Sequence, residues 1–432
     1  MAQPPPDRPL SLAVGPQPLG VLPPPAGFLL LPDSASPLAA EALARLLAAD
    51  VSGPLPAEWE FYRRAAAGDL AGALAGLGPP DDAVLAYDRF VLAYDRFVLS
   101  GDLGAFAGLP GLPSGDLGRL IACAAFAAGE SDALPDAEGA VEPTVAGVAW
   151  MVRSAAEMET GDTVAALASL GRGIEAARAV SPNLAAQLLA QQSALLLPDD
   201  RKGALAALRT ALALAPAAPD GGRSPVRAAL YLALGELLQD AAAGDRSGLL
   251  EAVKAYQAAI HSGLSLEDDA ESYALAQNNL GLAYLAMPMS EAGSPLRLGV
   301  AVQSFREALK VWTPERNPEG WTSAQLNLAN ALQYLPSSHP EENLAQAVEI
   351  YEQLLGVRNR AFDPLGYARL IANQANALAH LGIFAPALAK LEEAHKLFHW
   401  HGEPELAASA LEQVERINER LGAAGAEAAE GK

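Results

Sequence analysis

A recurring register in the C-terminal half constrains the fold of this chain more than any other feature. Small residues recur at intervals of 46, 48 and 46 positions, at Gly235, Gly281, Ala329 and Ala375. A second series, of large side chains, follows downstream of the first at nearly the same spacing. Two series in step imply two helices per unit, and repeats of this length indicate units stacked into a solenoid. The large residues are Tyr256, Phe305, Tyr351 and Leu391.

Short sequence words accompany both series. The first helix of three successive units reads NLGLAY at 279–284, NLANAL at 327–332 and NQANAL at 373–378, and the second helix reads AVQSFREAL, AVEIYEQLL and ALAKLEEAH. These words resemble the tetratricopeptide repeat, in its long-unit bacterial variety, over roughly residues 224–401. The resemblance implies an all-α, right-handed superhelical solenoid of antiparallel helix pairs. It also implies that a small residue on helix A lies beside an aromatic residue on helix B.

The units are longer than the roughly 34 residues of the common repeat. We assign the surplus to the turns, because residues 287–298 (MPMSEAGSPLRL) and 335–343 (LPSSHPEEN) are rich in Pro, Ser and Gly and are typical of surface loops. Such insertions either form a binding rim or are simply tolerated, and the sequence favours neither.

Composition and helical periodicity divide the rest of the chain. The N-terminal segment is rich in proline, including PPP at 4–6 and 23–25, and is predicted to be disordered. The last helix is predicted to end at Gly422, because glycine favours a helix C-cap. The predicted segments are a disordered arm (1–36), diverged helical hairpins (37–135), tetratricopeptide-like helix pairs (136–223), four clear repeats (224–401), a capping helix (402–422) and a disordered tail (423–432).

Charge and cysteine content exclude several classes of function. The formal net charge is −22, and no basic stripe exists to neutralise a phosphate backbone, so nucleic acid is not a predicted partner. The single cysteine, Cys123, excludes an internal disulfide and a cysteine-cluster metal site. The chain shows neither a signal peptide nor an apolar run of the ~18 residues that would span a bilayer. We therefore predict a cytoplasmic protein.

Motifs for catalysis or cofactor binding are not found in the sequence. There is no Walker loop, no nucleophile elbow and no HExxH word, and the abundant carboxylates are those expected of solvated helix faces. We therefore predict a non-catalytic protein without a cofactor.

The asparagines of the helix A words are the strongest candidate site. In the tetratricopeptide resemblance they face the concave groove, where an amide can both donate to and accept from a peptide main chain. Alternatively, the amides tie adjacent helices together, and both roles can hold. Some family members clamp acidic tails with several Lys or Arg, but this face offers mainly Arg369, so a neutral or basic extended segment is the predicted ligand. The predicted groove residues are Asn279, Asn327, Asn330, Gln333, Tyr334, Arg369, Asn373 and Asn376, with His380 nearby.

These observations favour an interaction scaffold, adaptor or assembly factor that binds an extended partner segment. A first alternative is a regulatory module whose proline-rich arm occupies its own groove until a partner displaces it. A second is a metal-binding protein, because His395 and His399 lie four residues apart on one helical face with His401 close by. Against the metal site, these histidines lie near a helix C-terminus, where positive charge is favourable, and Trp400 is expected to pack against the cap.

Overall fold

The structure is a computed structural model. It describes residues 19–21, 28–30, 37–47, 53–66, 69–76, 93–98, 100, 102–107 and 115–430, apart from 128, 130, 141, 218–222, 268, 289–293 and 359.

The described residues are helical apart from one two-stranded hairpin and the connecting turns. The strands are β1 (Leu19–Val21) and β2 (Phe28–Leu30), and residues 93–98 are also helical. The N-terminal helices are α1 (Pro37–Leu47), α2 (Glu60–Ala66), α3 (Leu70–Gly76), α4 (Asp116–Ala127), α5 (Pro143–Glu159), α6 (Thr163–Ala177), α7 (Pro182–Leu196) and α8 (Arg201–Leu214). The C-terminal helices are α9 (Pro225–Ala242), α10 (Arg246–His261), α11 (Ala270–Leu285), α12 (Ser294–Ala308), α13 (Pro318–Tyr334), α14 (Pro340–Val357), α15 (Pro364–His380), α16 (Phe384–Trp400) and α17 (Pro404–Glu430).

Local sequence explains where many of these helices begin. Asp162, Asp200 and Asp363 each accept a hydrogen bond from a backbone N–H in the first turn of the following helix, which satisfies a donor that has no partner within the helix. Proline occupies the start of α5, α7, α13, α14 and α15, where its fixed φ suits the helix and its missing N–H costs nothing. Short connections between capped helices make successive helices antiparallel neighbours.

The helices pack as pairs in chain order, and the predicted register of small and large residues is confirmed for two of the pairs. A Cβ added to Gly281 would lie 2.6 Å from Cε1 of Phe305, so only glycine admits the ring at this distance. A Cβ added to Gly235 would lie 2.5 Å from Cε1 of Tyr256. The small residue on helix A therefore faces the aromatic ring on helix B, as the resemblance implied.

The chain divides into two compact units. Unit 1 comprises Met1–Asp240 and Lys254–Ser272, and unit 2 comprises Ala241–Val253 and Tyr273–Lys432. The core of unit 1 gathers largely aliphatic side chains of α5 to α8 with Trp150, whereas the core of unit 2 centres on Phe305 and Tyr351. The division falls within the first clear repeat rather than at the predicted boundary near 223.

The prediction that the surplus length lies wholly in the turns was wrong. The segment SPLRL, predicted as loop, forms the first turns of α12, and the PEEN of the second turn opens α14. Proline at or next to the first helical position starts both helices, so proline here marks a helix start rather than a loop. The long period therefore comes from long helices as well as from connections.

Both ends of the chain also differ from prediction. Helix α17 continues through Gly422 to Glu430, because the alanine-rich segment after the glycine is itself a strong helix former. In the N-terminal arm, β1 and β2 pair antiparallel, with Leu19 opposite Leu30 and Val21 opposite Phe28, so these six residues are not disordered. The rest of the proline-rich arm lies outside the described residues.

Candidate functional site

The predicted asparagines lie on the first helices of successive pairs in unit 2. Asn279 is on α11, Asn327 and Asn330 are on α13, and Asn373 and Asn376 are on α15, and all five side chains are half-buried. Half-burial follows from the register, because Gly281, Ala329 and Ala375 turn the opposite side of each helix into the core. The amides are therefore carried on rigid helices with one edge accessible.

Side-chain hydrogen bonds connect these amides from one pair to the next. Asn327 Nδ2 donates to Asn278 Oδ1 at 3.4 Å, and Asn373 Nδ2 donates to Asn330 Oδ1 at 3.1 Å. Asn376 Nδ2 donates to Gln333 Oε1 at 2.8 Å. We call this set the amide ladder; it comprises Asn278, Asn279, Asn327, Asn330, Gln333, Asn373 and Asn376. The role of tying adjacent helices, one of the two alternatives, is thus present in the structure.

The hydroxyl group of Tyr351, on α14, bonds to two amides of the ladder. Its hydroxyl donates to Asn330 Oδ1 at 2.7 Å and accepts from Gln333 Nε2. Burial raises the pKa of the Tyr351 phenol above its usual value, with the Gln333 hydrogen bond acting in the opposite direction. The neutral phenol therefore holds two amides of α13 in fixed orientation.

Some polar atoms of the ladder have no protein partner among the described residues. Asn330 Oδ1 already accepts two hydrogen bonds, but its Nδ2 is not engaged. Asn373 and Asn376 use their nitrogen atoms, which leaves each Oδ1. Because these side chains are half-buried, one donor and two acceptors remain accessible on a single face, and a peptide main chain offers the matching groups.

Tyr334, Asn373, Asn376 and His380 line a cavity of about 430 Å³ in unit 2. Tyr334 is 51% exposed, and its hydroxyl accepts from Asn376 Nδ2 at 3.3 Å. Arg369 is exposed on α15, one turn before Asn373, and does not line the cavity. The opposite wall comes from α17, through Gln413, Arg416, Ile417 and Arg420.

Sequence reasoning missed Asn278 and the α17 residues. Asn278 is buried directly before the predicted Asn279, and the register does not point to it, because the 48-residue interval counted back from Asn327 leads to Asn279. Gln413, Arg416 and Arg420 follow helical spacing and so share a face of α17. That pattern was readable, but which helix it faces depends on how α17 packs.

The predicted C-terminal histidines contact a backbone carbonyl and one another. His395 Nδ1 lies 2.9 Å from the carbonyl oxygen of Ala407, and the rings of His395 and His399 stack with centroids 6.3 Å apart. The described residues contain no group of three or more His, Cys, Asp or Glu side chains able to hold a metal ion, so His401 does not complete one. The expectation that Trp400 packs against the cap was wrong, because its side chain is 86% exposed.

A second cavity, of about 680 Å³, lies in unit 1. Its wall is largely apolar and is built from α4, α5 and α7, with Phe126, Met151, Met158 and Leu195 as its larger side chains and Gln191 among its polar ones. Among the described helices, none is long and apolar enough to cross a membrane.

Comparison with known proteins yields structural similarity alone. No protein-family model and no curated protein matches the chain. A solved structure of a Rap protein complexed with Competence and Sporulation Factor is similar with 13% identity and a TM-score of 0.36, over 84% of this chain and 96% of that one. The apo form of RapI is similar with 12% identity and a TM-score of 0.41, over 83% and 92%.

Proposed function

We propose that unit 2 captures an extended segment of a partner protein on the amide ladder, and that the protein serves as a non-catalytic scaffold, adaptor or assembly factor. The observation that carries this proposal is the set of unengaged atoms Asn330 Nδ2, Asn373 Oδ1 and Asn376 Oδ1 on one half-buried face. An extended main chain presents donors and acceptors in alternation, so it can bond to such a face irrespective of its own sequence.

The ladder suits this role because its helix-tying bonds also preorganise it. Each amide is already held in orientation by a neighbour or by Tyr351, so little side-chain freedom is lost when a segment binds. The half-exposed ring of Tyr334 adds an apolar surface with a polar tip beside the amides. Binding would rest on shape and backbone hydrogen bonds, without a covalent step.

The test compares groove and control variants in affinity capture from the native host, followed by mass spectrometry. The groove variant Asn330→Ala/Asn373→Ala/Asn376→Ala removes the three unengaged atoms. The control Gln374→Ala removes a buried amide of α15 that bonds to Glu352 and not to the ladder, so it perturbs packing between α14 and α15 without removing a ladder amide. Both variants are first checked for helical content by circular dichroism.

We expect a prominent partner to be retained by wild type and by Gln374→Ala, and lost by the groove variant. The captured protein is then reconstituted from purified components, and the segment is mapped by cross-linking to α13 and α15. A partner that binds the folded groove variant as tightly as wild type would contradict the proposal and move the binding site elsewhere.

A further inference from the structure

The cavity between α13, α15 and α17, which we call the α17 pocket, differs in charge from the rest of this acidic protein. Two guanidinium groups, of Arg416 and Arg420, line it together with the imidazole of His380. The remaining polar wall comes from the neutral side chains of Asn373, Asn376, Gln413 and Tyr334, and none of the carboxylates among the described side chains lines it. A chain of net charge −22 therefore concentrates hydrogen-bond donors and positive charge at one end of the amide ladder.

Four other basic side chains of unit 2, those of Lys310, Arg358, Arg360 and Lys390, are paired with carboxylates. Arg358 pairs with Asp363 at 3.3 Å, and Arg360 pairs with Glu393 at 2.7 Å. Arg416 and Arg420 form no ion pair within the part of the chain that the structure describes, although Glu412 and Glu419 flank Arg416 on the same helix. Their charge is thus available to a ligand.

The guanidinium of Arg420 is also held in position. Its Cζ lies over the Phe384 ring, 5.2 Å from the ring centre, in a cation–π contact. A guanidinium that lies against an aromatic ring can still form paired hydrogen bonds with a carboxylate or phosphate through its N–H groups. A guanidinium that is already held in position loses less conformational freedom on binding than a solvated one does.

We propose that the α17 pocket binds an oxyanion, supplied by an acidic or phosphorylated side chain of the partner segment. Its volume of about 430 Å³ accommodates a side chain rather than a folded element. Because Asn373 and Asn376 belong to both the pocket and the ladder, one extended segment reaches both. The peptide part of this inference rests on the proposed function, whereas oxyanion binding stands by itself.

This inference revises the predicted ligand. Counting cations on the first helices alone indicated a neutral or basic segment, because that face carries mainly Arg369. The arginines of the pocket come instead from α17, which follows the last repeat and packs against α15 and α16. The expected segment is neutral along the ladder and anionic at the α17 end.

The first experiment measures oxyanion binding without any peptide. Inorganic phosphate is titrated into the full-length protein at constant ionic strength and followed by the thermal unfolding midpoint and by isothermal calorimetry. The test variant is Arg416→Gln/Arg420→Gln, and the control Arg178→Gln/Lys396→Gln removes two exposed cations outside the pocket. We expect phosphate binding to weaken about tenfold or more in the test variant and to stay unchanged in the control, since each lost guanidinium removes charge-assisted bonds.

The variant Arg416→Lys/Arg420→Lys keeps the charge and removes the paired donors. We expect it to bind phosphate with intermediate affinity, because lysine acts as a point charge. Equal phosphate affinity in wild type and a folded Arg416→Gln/Arg420→Gln variant, or no measurable phosphate binding by wild type, would overturn the inference.

The second experiment selects random seven-residue peptides from a display library on the full-length protein. We expect wild type to enrich peptides that contain Asp or Glu, and Arg416→Gln/Arg420→Gln to enrich peptides without that preference. Synthetic versions of one enriched peptide with Glu, Gln or phosphoserine at the acidic position then distinguish a carboxylate from a phosphate ligand. Enrichment that depends on the ladder but shows no acidic preference would overturn the peptide part of the inference alone. Failure to enrich any peptide would count against the proposed function, while the phosphate titration still decides the pocket.

Discussion

The two units use the same helix-pair architecture but place different chemistry on their first helices. In unit 1, α5 and α7 contribute Met151, Met158 and Leu195 to an apolar cavity. In unit 2, the corresponding first helices α11, α13 and α15 carry amides that bond to one another. The repeat therefore determines where a face lies, and the residues on that face determine what it can bind.

The units also differ in what their polar bonds connect. In unit 1, buried Ser154 and Ser193 donate to the carbonyl oxygens of Ala166 and Ala204 at 3.0 and 2.8 Å, which ties the two helices of one pair together. In unit 2, the amide ladder ties one pair to the next. The buried serines of unit 1 thus tie the two helices of a pair, whereas the ladder of unit 2 also ties successive pairs.

The largest expected effect tests the aromatic core of unit 2. Phe305 is fully buried opposite Gly281, so Phe305→Ala should lower the free energy of unfolding of unit 2 by about 3–5 kcal/mol. Leu170→Ala, in the aliphatic core of unit 1, is the counterpart and should cost about 2–5 kcal/mol there. Hydrogen exchange of the backbone amides measures both. Unchanged protection of α11 and α12 in Phe305→Ala would show that this ring does not hold the pair.

The glycines at helix crossings allow the packing of the two units to be compared. Gly281→Ala places a methyl group against the Phe305 ring and should cost about 1–3 kcal/mol. Gly147→Ala in unit 1 meets Leu184 Cδ2 at 2.8 Å, which is the end of a flexible side chain, so we expect a smaller loss. Chemical denaturation compares the two variants. Phe305→Leu should partly rescue Gly281→Ala, and a larger loss in Gly147→Ala than in Gly281→Ala would contradict this account.

Removing single polar groups should distinguish the hydrogen bonds within a helix pair from those between successive pairs. Asn330→Ala removes the acceptor shared by Tyr351 and Asn373 and should cost about 1–3 kcal/mol, because two donors lose their partner. Ser193→Ala in unit 1 removes one donor and should cost about 0.5–1.5 kcal/mol. A double-mutant cycle between Asn330 and Asn373 should show coupling. Additive losses in that cycle would mean that the ladder does not stabilise the stack.

The smallest effect concerns alkaline pH. Burial raises the pKa of the Tyr351 phenol, so the native state keeps a proton that the unfolded state releases above pH ~10. Stability from this group is therefore complete below pH ~10 and is lost as the pH rises, by about 1.4 kcal/mol per pH unit. The free energy of unfolding of Tyr351→Phe should decline less steeply between pH 9 and 11. Tyr94→Phe is the counterpart in unit 1, where burial also raises the pKa of the phenol. Identical pH slopes in wild type and Tyr351→Phe would contradict a raised pKa.

Much of the fold could be predicted, because in a repeat protein the residues that pack between helices recur at a nearly constant spacing in the sequence. The spacing of Gly281 and Phe305 sufficed to predict which helix meets which ring, since each unit contacts its neighbours in chain order. Helix ends were harder to predict. Gly422 favours the end of a helix, but the alanine-rich segment after it continues the helix. Pro340 begins a helix where a loop was expected.

The candidate site could be predicted in part. Asn327, Asn330, Asn373 and Asn376 recur within repeated words, so their shared face was readable. Arg416 and Arg420 lie in a helix outside the repeat, and no periodicity relates them to His380. Trp400 shows the same limit, because a large apolar side chain near a helix end carries no local signal for exposure.

The sequence by itself determined the helical class, the register of small and large residues, and the amides along the first helices. Only the tertiary structure decided that Asn330 bonds to Asn373 across two pairs, and that α17 brings two arginines to the end of the ladder. The physical reason is the sequence separation over which each effect acts. Helical periodicity acts over a few residues, whereas hydrogen bonds and pockets depend on distances of a few ångströms between side chains that are 40 or more residues apart.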